Sequence, residues 1–193
     1  MRAQDRRAAV QTARQKLALR PVYLDTETTG RDPGDQIVEI CILEHDGAAL
    51  VDSLVQARAS ISAEAGRLHG LTSAALQDAP TWAALWPRVE RALAGRVIAI
   101  YNADFDLRLM RQSHRAAGLP WREPGAEVFC VMKLYAQFYG EWNHRTRSYR
   151  WQSLEDARWQ CGIDLLNAHR ARADALLARA VLRHMAEDQS AGG

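Results

Sequence analysis

The dipeptide Asp46-Gly47 lies between QIVEICIL at 36–43, a run rich in Val and Ile, and a second strand-like run near 49–56. That arrangement predicts a tight antiparallel hairpin. A further short run at 22–26 precedes it, so the chain opens as a strand meander. After residue 56 the pattern changes. LTSAALQDAP and TWAALWPRVERALAG read as helices closed by Pro80 and Gly95, and RVIAIYN reads as a fully apolar strand. DFDLRLMRQSHRAAG is a helix ended by Gly118, and EVFCVM and KLYAQFYG follow as strand and helix. Ser153 with Asp156 three residues on marks the start of another helix, closed by Gly162, and the last helix spans about 170 to 187. A meander followed by alternating helices and strands predicts an α/β fold, with a mixed central sheet flanked by helices.

Residues 2–19 predict a helix with Val10, Ala13 and Leu17 on one stripe and Arg6, Arg7, Arg14 and Lys16 largely elsewhere. Pro21 ends it. The expected division is a basic N-terminal helix at 1–20, one domain at 21–187 and a disordered tail at 188–193. The helix offers a surface for nucleic acid or for a partner protein, but a solvated face is the better explanation of its charge.

Composition narrows the class further. A chain of 193 residues, 48% hydrophobic and 25% charged, can bury one sizeable core. No apolar stretch is long enough to span a bilayer and the N-terminus lacks a signal-peptide core, so a cytoplasmic protein without membrane contact is expected. Cys41, Cys130 and Cys161 are far apart and form no zinc spacing, which predicts reduced thiols, mostly in the core. A formal net charge of +2 does not by itself announce nucleic acid. Lys16 and Lys133 are the only lysines; arginine grips phosphate in two-point fashion, but a coding bias toward arginine accounts for the same composition.

The chemistry starts at YLDTETTG, residues 23–30. On a strand Asp25 and Glu27 share one face, about 7 Å apart along the backbone. Two unpaired carboxylates so close repel each other, and a cation removes that penalty. Oxygen-only donors suit Mg²⁺ or Mn²⁺ rather than zinc. The other reading of a bare D-x-E is an exposed strand end with solvated acids. Further along, Asp106 lies where an apolar strand passes into a helix, a common place for chemistry in open α/β sheets. His169 and Asp174 lie five apart, the histidine on a loop and the aspartate one turn into a helix.

In this order, DTETTG at 25–30, NADFD at 102–106 and His169 with Asp174 resemble the three motifs of the DEDDh branch of the DEDD 3′→5′ exonucleases. This ribonuclease-H-like group includes the proofreading subunit of bacterial DNA polymerase III. IVEI at 37–40, LHGLT at 68–72 and the DAPTW that follows support the match, which covers roughly residues 21–187. Arg170 stands where the sister branch carries tyrosine, so the resemblance assigns the general base to His169. It implies a ribonuclease-H-like fold and two divalent cations, Mg²⁺ or Mn²⁺, held by Asp25, Glu27, Asp106 and Asp174. The implied reaction removes nucleoside 5′-monophosphates from the 3′ end of nucleic acid, single-stranded DNA above all. The proton of the attacking water passes to His169, since an imidazole can accept one near neutrality.

The resemblance also implies that Thr28, His69, Leu71, Tyr101, Asn102 and Phe105 meet the terminal nucleotide. For Phe105 and Leu71, core packing is the competing reading. Tyr101 stands where many relatives carry histidine, and Cys130 where many carry aspartate. The basic aromatic stretch EWNHRTRSYRWQ is equally compatible with holding a single strand and with an anchored surface loop. A polymerase is one partner that the N-terminal helix could engage.

Two other classes compete. Haloacid-dehalogenase-type phosphatases begin a strand with D-x-D-x-T and need a downstream lysine, for which Lys133 is the sole candidate. A non-catalytic nucleic-acid-binding module of the same fold would lack part of the acidic set. Within the exonuclease reading an RNA-directed enzyme stays open, although Thr28 stands where oligoribonucleases usually carry methionine.

Overall fold

The computed structural model describes residues 2–166 and 168–189. Five strands form one sheet: β1 (Val22–Thr28), β2 (Ile37–Leu43), β3 (Ala49–Leu54), β4 (Val97–Ile100) and β5 (Glu127–Cys130), in the order β3-β2-β1-β4-β5. The first three pair antiparallel, as the hairpin signal predicts, and β4 and β5 add in parallel. At the hairpin Gly47 takes a φ of 99°, which glycine tolerates, and Asp46 Oδ1 accepts from the Ala48 amide at 2.9 Å.

One face of the sheet is covered by α1 (Arg2–Ala18), α5 (Val131–Tyr139) and α7 (Ala171–Glu187). The other is covered by α3 (Trp82–Leu93) and α4 (Ala103–Ala117). Alternation along β1 divides its side chains between the two layers. Val22 and Leu24 pack under α3 and α4, whereas Tyr23 packs under α1, α5 and α7. Asp25 and Glu27 are in phase with Tyr23 and so face the α7 side. Full burial of Val181 and Leu182 on α7 stabilises this layer by about 1.5–3 kcal/mol each.

Two short helices, α2 (Ala63–His69) and α6 (Leu154–Gln160), complete the helical set, and β6 (Trp142–Asn143) pairs with β7 (Ser148–Tyr149) in a separate hairpin. The α6 start carries the expected reciprocal cap between Ser153 and Asp156. The helix expected at 71–80 is reduced to a single 3₁₀ turn at Ala74–Leu76, and the α-helix lies one step earlier, as α2. Ser62 caps the Ala65 amide, and Gly70, at φ 71°, ends α2 by donating to the Gly66 carbonyl.

The charged face of α1 is turned inward more than its pattern suggests. Arg6 pairs with Asp188 and stands over the Phe138 ring at 3.9 Å. Arg14 donates to the carbonyls of Ala186 and Asp188, capping the end of α7, and Lys16 pairs with Glu127. Ala9, Val10 and Ala13 are fully buried, so the helix is part of the main core. Asp188, the first residue of the expected tail, is thereby tied to α1; residues 190–193 of that tail lie outside the described residues.

In the basic aromatic stretch, Trp142 and Tyr149 pack edge to face at 5.0 Å, and Tyr149 donates its hydroxyl to Asp5 at 2.6 Å. Those two rings anchor the hairpin, whereas Trp151 is 64% exposed. Among the described residues no helix is long and apolar enough to cross a membrane.

Candidate active site

The acids converge at the end of β1. Alanines 171, 175 and 178 are buried on α7, and their small side chains let the helix approach the sheet closely. Its first turn therefore delivers Asp174 to Asp25 and Glu27, and one carboxylate oxygen from each of the three lies within 4.8 Å of the others. Asp106 comes from the opposite helical layer, in the first turn of α4, with Oδ1 accepting from Thr26 Oγ1 at 2.8 Å. All four acids and His169 line one cleft of about 370 Å³.

Burial and mutual repulsion make these acids hold their protons. Asp25 is raised well above the usual carboxylate range by burial and then by Asp106, Asp174 and Glu27. Burial pushes Glu27 up to about 8, with Asp174 and Glu39 adding to it. Asp174 rises to about 7 through burial, with Glu155 and Glu39 adding to it. Burial also takes Asp106 to about 7, against the opposing hydrogen bond from Thr26. A cluster this unfavourable when ionised is one that a divalent cation would satisfy. The donors are all oxygen, so the residues fit Mg²⁺ or Mn²⁺.

His169 borders the cleft on the loop before α7, with Nδ1 4.0 Å from Asp174 Oδ2 and a side chain 43% exposed. Its φ of 46° is left-handed, a conformation that is strained for histidine.

A second cleft of about 520 Å³ adjoins the first and shares Thr26, Glu27, Asn102 and Phe105 with it. Its size suits a nucleotide-scale ligand. Asn102 is the N-cap of α4 but makes no side-chain cap bond, and it stands exposed at the junction. Phe105 is half-buried beside Arg108, whose guanidinium lies 5.2 Å from its ring. The Thr28 hydroxyl is committed to the Gly30 carbonyl at 2.7 Å. His69 lines the cleft with both nitrogens already engaged: Nδ1 accepts from the Leu71 amide at 3.0 Å, so Nε2 carries the proton donated to the Thr28 carbonyl, 3.1 Å away. The ring holds the Thr28 backbone in place.

Leu71 is not brought to the cleft. It packs with Val38 and Leu76, and Leu68, 43% exposed, lines the wall instead. A Cβ at position 30 would meet Asp35 Oδ2 at 2.5 Å, so a larger residue there would displace the Asp35 carboxylate. Asp35 in turn accepts from Thr29 Oγ1 and the Asp32 amide, which fixes the loop after β1.

Tyr101 reaches the first cleft but sends its buried hydroxyl to the carbonyls of Gln152 and Ser153, both at 3.1 Å. It pins the segment that enters α6. The Cys130 thiol donates to the Tyr101 carbonyl at 3.3 Å. Lys133 pairs with Asp104 on the surface and does not line the acidic cleft, contrary to what the phosphatase reading needs. Two residues that bear on these clefts are not among the expected site residues: Leu68, in a helix that the sequence does not signal, and Glu39, a buried acid inside IVEICIL whose partner lies far along the chain.

A family model described as exonuclease, RNase_T, matches residues 22–182. "Uncharacterized exonuclease CP81" of Escherichia phage 186 is 34% identical over 177 residues, 88% of this chain and 90% of its own. The PolC-type DNA polymerase III of Thermotoga maritima is 29% identical over 171 residues, which are 86% of this chain but 12% of that protein. Among solved structures, exonuclease X in complex with 5′-overhanging duplex DNA superposes with a TM-score of 0.63 at 26% identity, covering 85% of this chain and 89% of that one. An exonuclease I shares the fold with a TM-score of 0.68 at 18% identity, over 87% of this chain and 41% of its own.

Proposed function

We propose that this chain, which belongs to the RNase_T exonuclease family, removes nucleotides one at a time from the 3′ end of DNA as nucleoside 5′-monophosphates. The observation that carries this reading is the convergence of Asp25, Glu27 and Asp174 within 4.8 Å beside His169. Asp25, Glu27, Asp106 and Asp174 would hold two divalent cations, Mg²⁺ or Mn²⁺. When bound, such ions supply charge neutralisation and Lewis acidity at the scissile phosphodiester.

The protein's own residues do the rest. The adjoining cleft takes the terminal nucleotide, with Phe105 and Leu68 offering apolar contact and Asn102 a hydrogen-bonding amide at the junction. The Thr28 backbone, braced by His69, forms its floor. His169, which lines the cleft with a side chain 43% exposed, accepts the proton of the attacking water in this reading. DNA is the favoured substrate because exonuclease X is described in complex with DNA and PolC is a DNA polymerase. The PolC-type relative points to replication as the setting.

The test is product analysis. With Mg²⁺ or Mn²⁺ the protein should convert a single-stranded oligodeoxynucleotide to nucleoside 5′-monophosphates, and EDTA should stop it. Nucleoside 3′-monophosphates, or undiminished cleavage in excess EDTA, would overturn the assignment.

A further inference from the structure

We infer that Glu39 and Arg170 form a positioning clamp that sets His169 and Asp174 in register with the acids of β1; the inference rests on the proposed nuclease reading of that site. Glu39 is the register partner of Glu27 on the neighbouring strand and is 4% exposed. A carboxylate so buried needs compensation, and it has four bonds. Arg170 Nε donates to its two oxygens at 3.1 and 3.0 Å, Arg170 Nη2 to Oε1 at 2.5 Å, and the Ala171 amide to Oε2 at 2.9 Å.

These bonds do two things at the start of α7. Arg170 occupies the N-cap but cannot cap with its own side chain, and no local cap bond is made. Glu39 caps the first amide from across the sheet, placing negative charge where a helix N-terminus favours it. The guanidinium fork also fixes orientation as well as distance, which a single point charge would not.

Both functional groups hang from this point. His169 is the preceding residue, held at its left-handed φ of 46°. Asp174 follows one turn later, its amide bonded to the Arg170 carbonyl at 3.0 Å. A strained backbone persists where its surroundings over-determine it, and here the surroundings are the clamp. Arg170 also offsets the charge of Glu39, which would otherwise stand as a further unpaired carboxylate beside Glu27.

A pair that merely stabilised the fold would lower the melting temperature and leave kcat of the folded protein unchanged. The clamp makes a different forecast for E39A, R170A, R170K and E39A/R170A on a 5′-labelled single-stranded oligonucleotide with saturating Mn²⁺. E39A and R170A should each lose about 10–100-fold in kcat with KM nearly unchanged, as outer-shell supports of metal sites do. The double variant should be no slower than the slower single variant, because both remove one interaction. R170K, keeping charge without the fork, should fall between wild type and R170A. A folded R170A with kcat within about threefold of wild type, far short of that loss, would overturn the clamp, as would losses that multiply in the double variant. If E39A does not fold, the half-exposed Arg170 carries the test alone through R170A and R170K. If the wild-type protein cleaves no oligonucleotide, the nuclease reading falls, and Mn²⁺ calorimetry judges the clamp by itself. Affinity about 10-fold weaker in R170A supports it, and unchanged affinity overturns it.

Discussion

Thr26 Oγ1 donates to Asp106 Oδ1 at 2.8 Å, so the residue between Asp25 and Glu27 holds the acid that arrives from the opposite helical layer. Alternation on β1 sends Asp25 and Glu27 to one face and Thr26 to the other, and the strand end organises both sides of the cleft. Thr26→Val removes the hydroxyl at nearly constant shape. Activity should fall by about 10-fold or more while the fold persists, and Thr26→Ser should restore most of it. Rates of the two variants under saturating Mg²⁺ check this, and a fully active Thr26→Val would leave the bond without a role.

The acids predict how the metal-free protein responds to pH. Carboxylates in an unfolded chain titrate near 4, whereas Asp106 and Asp174 are raised to about 7, Glu27 to about 8, and Asp25 well above its ordinary range. The folded state thus binds more protons than the unfolded state between those limits, and stability falls as pH rises through them. In EDTA the melting temperature should drop between about pH 5 and pH 8, and saturating Mn²⁺ should flatten the profile. Glu27→Gln, measured alongside, separates this trend from the buried neutral His69 and His114, whose lowered pKa values act from the acid side. A melting temperature in EDTA that does not fall over that range would contradict the raised acids.

The buried hydroxyl of Tyr101 is spent inside the protein on the carbonyls of Gln152 and Ser153. Tyr101→Phe should therefore cost about 0.5–1.5 kcal/mol of stability and leave KM almost unchanged. Denaturant unfolding and steady-state kinetics together decide it. A raised KM at undiminished stability would show that the hydroxyl reads the nucleotide.

Much of this architecture is legible in the residues because local and global signals agree. The Asp46-Gly47 turn and the apolar RVIAIYN run each permit one role, and the meander and the parallel addition follow. The acids stand out through the order of three motifs, DTETTG, NADFD and His169 with Asp174, since a bare D-x-E reads equally as a solvated strand end. What stays hidden depends on long-range contact. Leu71 and Leu68 are both leucines flanking His69, and their different fates, core and cleft wall, are set by where α2 ends. Arg6 and Arg14 look like solvent-facing charges until the far end of α7 is placed beside them. Glu39 pairs with a residue 131 positions away, which no local pattern records.

His169 should separate base from ligand. His169→Ala is expected to keep the fold and its Mn²⁺ affinity while losing about 10²–10⁴-fold in rate. His169→Gln should be nearly as slow, since an amide can orient water but takes no proton from it. Rates within about threefold of wild type in the alanine variant would remove the histidine from the proton-transfer role, for which losses are far larger.

The most direct measurement follows a single-stranded oligodeoxynucleotide labelled at its 5′ end, incubated with Mg²⁺ and either the wild-type protein or Asp25→Ala. The wild type should give a ladder of labelled products shortening stepwise from the 3′ end. EDTA, a 3′-terminal phosphate and the Asp25→Ala substitution should each abolish it. Label released as mononucleotide at the earliest times would reverse the polarity, and an undiminished ladder from Asp25→Ala would contradict a metal site built on Asp25.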